Sequence, residues 1–268
     1  MNTISSVALP GEPPEFQRFL AGSRPLDLSG IDWEAIPSHS LSDDVLQVLT
    51  YMQDVESHTV VFPRTVVSRR AADDPIVGPF LICWLYEEGM HGRALAKFLD
   101  CAKRSVVSHL GGRTTFMDHV DRGMTTLIAA AWTHFLALHM AWGAAHECTT
   151  IHAYQRLMAR NDHPVLNELL ARIVRDEARH FAFYKWQSEL RLAQPGVQRK
   201  VRRIMERLYT PVGAKHQPDE LAHWVSGFLF DGTDGRAAAQ RVDRTIARLP
   251  GLSGTRLLGK WLDQHVYR

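Results

Sequence analysis

From Ser42 onward, apolar residues recur at the three- and four-residue spacing of one helix face, and no run alternates long enough to build a sheet. Four segments form a series, 43–68, 76–103, 122–160 and 164–193. They are divided by Asp73-Asp74-Pro75, Gly111-Gly112 and Asn161-Asp162-His163-Pro164. After Pro195 and Gly196 come shorter amphipathic segments, 197–209, 217–230 and 234–248, and a last piece at 252–266. Residues 1–40, rich in Pro, Ser and Gly, read as an N-terminal arm lying along the domain. No linker follows the fourth segment, so residues 41–268 read as one helical domain.

Each long segment carries a stripe that would face a shared core. The stripes are Leu46, Leu49, Gln53, Glu56, Val60; then Leu81, Trp84, Glu88, His91, Leu95, Phe98. The third runs Leu136, Met140, Gly143, Glu147, Thr150, Tyr154, Leu157, and the fourth Leu166, Leu170, Ile173, Glu177, His180, Tyr184. Every stripe is interrupted near its middle by a glutamate, and two of them by Glu-x-x-His. This predicts an all-α fold, a ferritin-like four-helix bundle with additional C-terminal helices.

A carboxylate buried among Leu, Ile and Trp is costly unless it is paired, and otherwise it takes up a proton. Four at one level need compensation, and two divalent cations supply it: four carboxylates and two neutral imidazoles then sum to zero. Glu and His three apart lie on the same side of a helix, so each motif offers one ion an oxygen and a nitrogen. The metal ligands expected are Glu56, Glu88, His91, Glu147, Glu177 and His180, with Glu56 and Glu147 completing or bridging the pair. A metal-bound imidazole normally donates its other N–H to a carboxylate. Asp176 is therefore expected behind His91 and Glu87 behind His180, the alternative being surface acids paired with Arg93 or Arg179. His134, His139, His146 and His152 fall off the Glu147 stripe or away from its level, and read as packing or hydrogen-bonding residues. Carboxylate-rich sites with one nitrogen per ion suit iron, with manganese as the alternative, better than copper or structural zinc.

Composition adds exclusions. Lys plus Arg number 31 against 29 for Asp plus Glu, a balance that gives no argument for nucleic-acid binding. No window is long and apolar enough for a membrane span, and the N-terminus lacks the pattern of a signal peptide. Cys83, Cys101 and Cys148 have no paired spacing and read as buried thiols of a cytoplasmic protein.

The run Trp84-Leu85-Tyr86-Glu87-Glu88-Gly89-Met90-His91-Gly92 resembles the soluble acyl-carrier-protein desaturases, whose second bundle helix reads Trp-x-x-Glu-Glu-x-x-His-Gly. Asp176-Glu177-Ala178-Arg179-His180 is similar to that family's Asp-Glu-x-Arg-His, and Glu147-Cys148-Thr149-Thr150 to its Glu-x-x-Thr. The resemblance is specific over 80–100 and 145–185. It implies the same six ligands, Asp176 in an outer or electron-transfer role, and Thr150 beside the oxygen site. It further implies O2, a ferredoxin-type electron donor, an acyl chain on carrier protein as substrate, and a homodimer. The chain is shorter than the family before the first helix and between the second and third.

The function expected is therefore an O2-dependent di-iron oxidoreductase that desaturates or hydroxylates an acyl chain. The alternatives are N-oxygenation or carbon–carbon cleavage of an amino-acid-like substrate, and bacterioferritin-like iron storage. Thr150 has an ordinary reading too, a hydroxyl bonded back to the carbonyl of residue 146. Arg191, Arg199, Lys200, Arg202, Arg203 and Arg207, against Glu206 alone, form a basic stretch that is either a solvated face or a docking surface for an acidic partner.

Overall fold

The computed structural model describes residues 11–59, 73–104, 134–194, 196–215 and 217–267. Among these there are nine α-helices and no strand: α1 (Pro14–Gly22), α2 (Asp43–Thr59), α3 (Val77–Cys101), α4 (Phe135–Met158), α5 (Pro164–Leu192), α6 (Val197–Leu208), α7 (Asp219–Phe230), α8 (Gly232–Ile246) and α9 (Leu257–His265). The expected all-α bundle with additional C-terminal helices is the fold observed. The parts of the first and third segments at 60–68 and 122–133, and the break at Gly111-Gly112, lie outside the described residues.

The helices start where local chemistry supplies acceptors for their free N–H groups. Ser42 Oγ accepts from Val45 N at 3.3 Å at the head of α2. Asp74 Oδ1 accepts from Ile76 N and Val77 N at the head of α3. At α5 the acceptor is His163 Nδ1, bonded to Leu166 N at 3.2 Å, with Pro164 in the first turn where its missing N–H costs nothing.

Helices α2 to α5 form the bundle, α2 packing chiefly on α3, α4 on α5, with α3 facing α5. Directions follow from the contacts. Asp43 meets Arg104 while Ser57 meets Gly92, so α2 and α3 are antiparallel. Gly143 and Glu147 face Tyr184 and His180, and Phe80 and Glu87 face Tyr184 and His180, so α5 is antiparallel to both α4 and α3. Hence α3 and α4 run the same way, as two helices of ferritin-like bundles do. Most of the four stripes is buried in the bundle interior, with Leu49, Leu95, Phe98, Met140, Leu157, Leu166, Leu170 and Ile173 fully so; Leu46, Leu136, Gly143 and Thr150 are half-buried, and Val60 lies outside the described residues.

The later helices cover the outer side of α4. α6, α7 and α8 all pack on it, which accounts for a helix that is apolar nearly all round. Tyr209, just after α6, bonds to Thr149 at 2.9 Å, and Asp243 of α8 caps α9 through Leu258 N and Gly259 N. No helix of the described residues is long and apolar enough to cross a membrane.

One expectation is corrected. Of the cysteines only Cys148 is buried; Cys83 and Cys101 are half-buried, Cys83 because it sits about 100° round α3 from the Trp84 stripe and Cys101 because it lies in the last turn. The N-terminal arm contains α1, which seats Phe16 and Phe19 on the Phe80 and Phe183 rings; those two stack face to face with centroids 3.8 Å apart. Phe19→Ala should lower the unfolding free energy by about 3–5 kcal/mol, a core Phe truncation, as read by denaturant titration. A surface-like loss below about 0.5 kcal/mol would show that α1 is not part of the fold.

Candidate metal centre

Glu56 of α2, Glu88 and His91 of α3, Glu147 of α4, and Glu177 and His180 of α5 meet at one level of the bundle, all buried. Their ligand atoms form two groups, each within 4.8 Å: Glu56, Glu88, His91 and Glu177, and Glu88, Glu147, Glu177 and His180. Glu88 and Glu177 belong to both. The sequence left open whether Glu56 and Glu147 bridge; the geometry gives the shared places to the motif glutamates and an outer place to each of the other two.

Both imidazoles point Nε2 outward and Nδ1 inward. His180 Nε2 donates to Glu87 Oε2 at 2.7 Å, and His91 Nε2 lies 3.5 Å from Asp176 Oδ2. The two outer acids thus stand where expected. The alternative partner Arg179 is there as well, its Nη2 donating to Asp176 at 2.7 Å and to Glu87 at 3.0 Å; Arg93 is exposed. On the inner side His91 Nδ1 is 3.1 Å from Glu177 Oε1, and His180 Nδ1 is 3.1 Å from Glu88 Oε1. Neither contact has hydrogen-bond geometry, and Glu88 Oε1, His91 Nδ1 and Glu177 Oε1 are buried without a hydrogen bond. Buried polar atoms are normally satisfied, and lone-pair atoms converging on a common space are what a cation satisfies. The residues present therefore fit a metal.

Two neutral donors hold the outer carboxylates. Trp84 Nε1 donates to Glu147 Oε1 at 2.9 Å, and the Tyr154 hydroxyl donates to Glu56 Oε1. Close helix approach sets the rest. A Cβ on Gly92 would lie 2.7 Å from Ser57 Oγ and 3.0 Å from its backbone nitrogen, so only glycine lets α2 bring Glu56 against His91. Gly143 does the same for the Tyr184 ring, which a Cβ there would meet at 2.3 Å.

No family model, curated protein or solved structure matches the chain. What the centre does is read from its own residues.

The structure brings together all six residues expected as ligands and sets Glu87 and Asp176 behind the two imidazoles. Thr150 sits one turn from Glu147, half-buried, and its hydroxyl makes no hydrogen bond among the described residues, so the bond back to residue 146 is absent. Its neighbour Thr149 makes that kind of bond instead, to Ala145 O at 2.8 Å. Of the off-stripe histidines, His146 lies 3.0 Å from Trp142 Nε1 and 3.1 Å from Thr210 O, and His152 lies 2.8 Å from Cys148 O. His139 is buried against Phe135 and Tyr184, and burial pushes it down to about 4. None of the four joins a metal group among the described residues. Trp84 and Tyr154 were visible on the stripes, but nothing in the spacing marked them as donors. The bonds to Glu87 from Ser23 Oγ, 2.5 Å, and Arg24 N, 3.1 Å, span more than sixty residues and carry no local signal.

Where no cation is bound, burial and like charge favour the protonated form of the outer carboxylates. Burial, and then the charges of Glu88 and Glu177, push Glu56 well above the usual carboxylate range; burial, and then Glu177, does the same to Glu147. Burial opposes charge on Glu177 too, but His180 and His91 outweigh it and hold that carboxyl well down. Burial alone would lower His91; Asp176 and Glu177 raise it to about 9. A divalent ion must displace these protons, so its affinity should rise with pH and its uptake should release protons. Zinc titrations in buffers of different ionisation enthalpy would measure both, and a pH-independent affinity would contradict the protonated resting site.

Proposed function

We propose that the centre binds two iron ions and that the protein is an O2-dependent oxidoreductase acting on an acyl chain, by desaturation or hydroxylation. The observation that carries this reading is the sharing of Glu88 and Glu177 between two four-residue groups with unsatisfied atoms turned inward. In it, His91 and Glu56 would hold one ion and His180 and Glu147 the other, with Glu88 and Glu177, which belong to both groups, available to either. Four carboxylates balance two divalent ions, and the oxygen-rich donor set with one nitrogen per ion favours iron, with manganese second. When bound, the ions supply O2 reduction and hydrogen abstraction from substrate.

The chain's own residues fix the setting. Trp84 and Tyr154 orient Glu147 and Glu56, Glu87 and Asp176 orient the imidazoles, and the Leu, Phe and Met side chains around them exclude water. Thr150, one turn from Glu147 with a hydroxyl that makes no hydrogen bond among the described residues, is the group we assign to hydrogen-bonding or proton delivery beside the ions. The acyl substrate, its carrier protein, a ferredoxin-type donor, a homodimer and a cytoplasmic setting follow from the resemblance of the two motifs and Glu147-x-x-Thr150 to the acyl-carrier-protein desaturases.

Protein purified aerobically should carry up to two irons, and Glu147→Ala or Glu177→Ala should lower that content, since each removes a charge that balances the cations. Reduced, iron-loaded protein given O2 and a panel of acyl-carrier proteins should yield an alkene or alcohol by mass spectrometry. Full iron in both variants would overturn the ligand set, and a large multisubunit particle without product would point to storage.

A surface for the carrier or the electron donor is narrower than the sequence suggested. Arg191 is paired with Asp74 at 2.6 Å, and Arg202 with Glu206 at 2.9 Å. Arg199, Lys200, Arg203 and Arg207 remain exposed on the side of α6 opposite its buried Val197, Val201 and Met205. Such a face would chiefly speed encounter with an acidic partner. Reversing Arg199, Lys200 and Arg203 to Glu should raise KM for the tethered substrate and flatten its salt dependence, with iron content and saturated turnover unchanged. Unchanged KM at low salt would exclude this face.

A further inference from the structure

The two halves of the centre are not supported alike. Behind His180, Glu87 is held from both ends. Its Oε2 accepts from His180 Nε2 at 2.7 Å and Arg179 Nη2 at 3.0 Å. Its Oε1 accepts from Ser23 Oγ at 2.5 Å and from the N–H of Arg24 at 3.1 Å, with Arg179 Nη1 farther off at 3.5 Å. Behind His91, Asp176 has Arg179 at 2.7 Å, but the imidazole is 3.5 Å away, beyond the ordinary range of such a bond.

Two of the donors to Glu87 come from outside the bundle, from the turn that ends α1. That turn is anchored. Phe16 and Phe19 fix α1 on the Phe80 and Phe183 rings, and the Arg179 guanidinium lies 6.0 Å from the Phe19 ring. Gly22 also passes close over Arg179, since a Cβ there would be 3.1 Å from its Cδ. Extra donors draw some charge from the carboxylate, which weakens its pull on the imidazole. What they supply is position, and 2.7 Å against 3.5 Å shows position prevailing. A ligating imidazole depends on that outer bond for its tautomer and aim, and losing such a partner lowers metal affinity roughly 10–100-fold.

We infer that the N-terminal arm, through the Ser23 hydroxyl and the Arg24 backbone, locks Glu87 onto His180 and so makes the His180 half of the centre the tighter one, filled first. The arm is thereby a positioning element of the metal centre as well as packing for the bundle. This rests on the two-ion reading above.

The test is titration of metal-free protein with cobalt(II), followed by visible absorption. Wild type should bind two ions in two steps, the first tighter by about tenfold or more. Ser23→Ala should weaken the first step several-fold, and Ser23→Ala with Arg24→Pro by about tenfold, leaving the second step and the stoichiometry unchanged. Ser23 is already extended, φ −71° and ψ 122°, as the residue before a proline must be. Ser23→Thr, which restores the hydroxyl, should restore the first step. Glu87→Gln should act on the first step and Asp176→Asn on the second. Should the double variant fail to fold by circular dichroism, Ser23→Ala and Ser23→Thr carry the test alone. Equal affinities in wild type, or arm variants that change neither step or both equally, would overturn the inference. Fewer than two cobalt ions in wild type would instead overturn the two-ion reading.

Discussion

The mutual repulsion of four carboxylates buried at one level is the constraint on which the rest of this bundle depends. Glu56, Glu88, Glu147 and Glu177 are all buried, and among the described residues no lysine or arginine pairs with them within the seam. At an interior dielectric such charges cannot all be held bare, so each must be protonated, bonded or matched by a cation. The resting arrangement uses the first two: protons on the outer pair, imidazoles around Glu177, and single N–H or O–H donors from Trp84 and Tyr154. The positive charge lies one layer out. Arg179, about a quarter exposed, joins Glu87 and Asp176, so the charge that steadies both imidazoles reaches solvent without entering the core.

Packing around the seam serves the same end. Gly92 and Gly143 allow helix and ring approaches that any side chain would block, and these bring Glu56 to His91 and Tyr184 beside Glu147. The C-terminal helices close over the far side of α4, so that Glu147 is presented from a helix buried on both faces. A ligand carried on such a helix has little freedom to drift, which suits a site whose atoms must hold their places with or without ions.

How much of this was legible in the sequence follows from the range of each signal. The stripes, their glutamates and both Glu-x-x-His motifs are local, periodic features, and α2 to α5 carry them where the periodicity put them. Asp176 behind His91 and Glu87 behind His180 were legible because each acid sits next to a ligand, about 100° round its helix, and a ligating imidazole requires a partner. Three things were not. Which carboxylates are shared depends on the depth at which helices cross. The helix within the arm is only nine residues long, opens on Pro14 and lies in a Pro-, Ser- and Gly-rich stretch whose composition hides a helical period. The partner of Arg191 becomes visible only when the head of α3 and the end of α5 are side by side. A seam is written in one helix at a time, whereas its support is written between helices.

The two shared glutamates have one more consequence. Exchange the hairpin α2–α3 with the hairpin α4–α5, so that Glu56 trades with Glu147, Glu88 with Glu177 and His91 with His180, and the first group of ligands becomes the second. The centre thus has an internal twofold relation, with Glu87 and Asp176 as its outer counterparts. One hairpin bearing Glu and Glu-x-x-His, paired with a copy of itself, would suffice to build every ligand position. Departures from that relation are then where the two halves have acquired separate identities: a glutamate where the other half has an aspartate, and an arm that reaches only one of them.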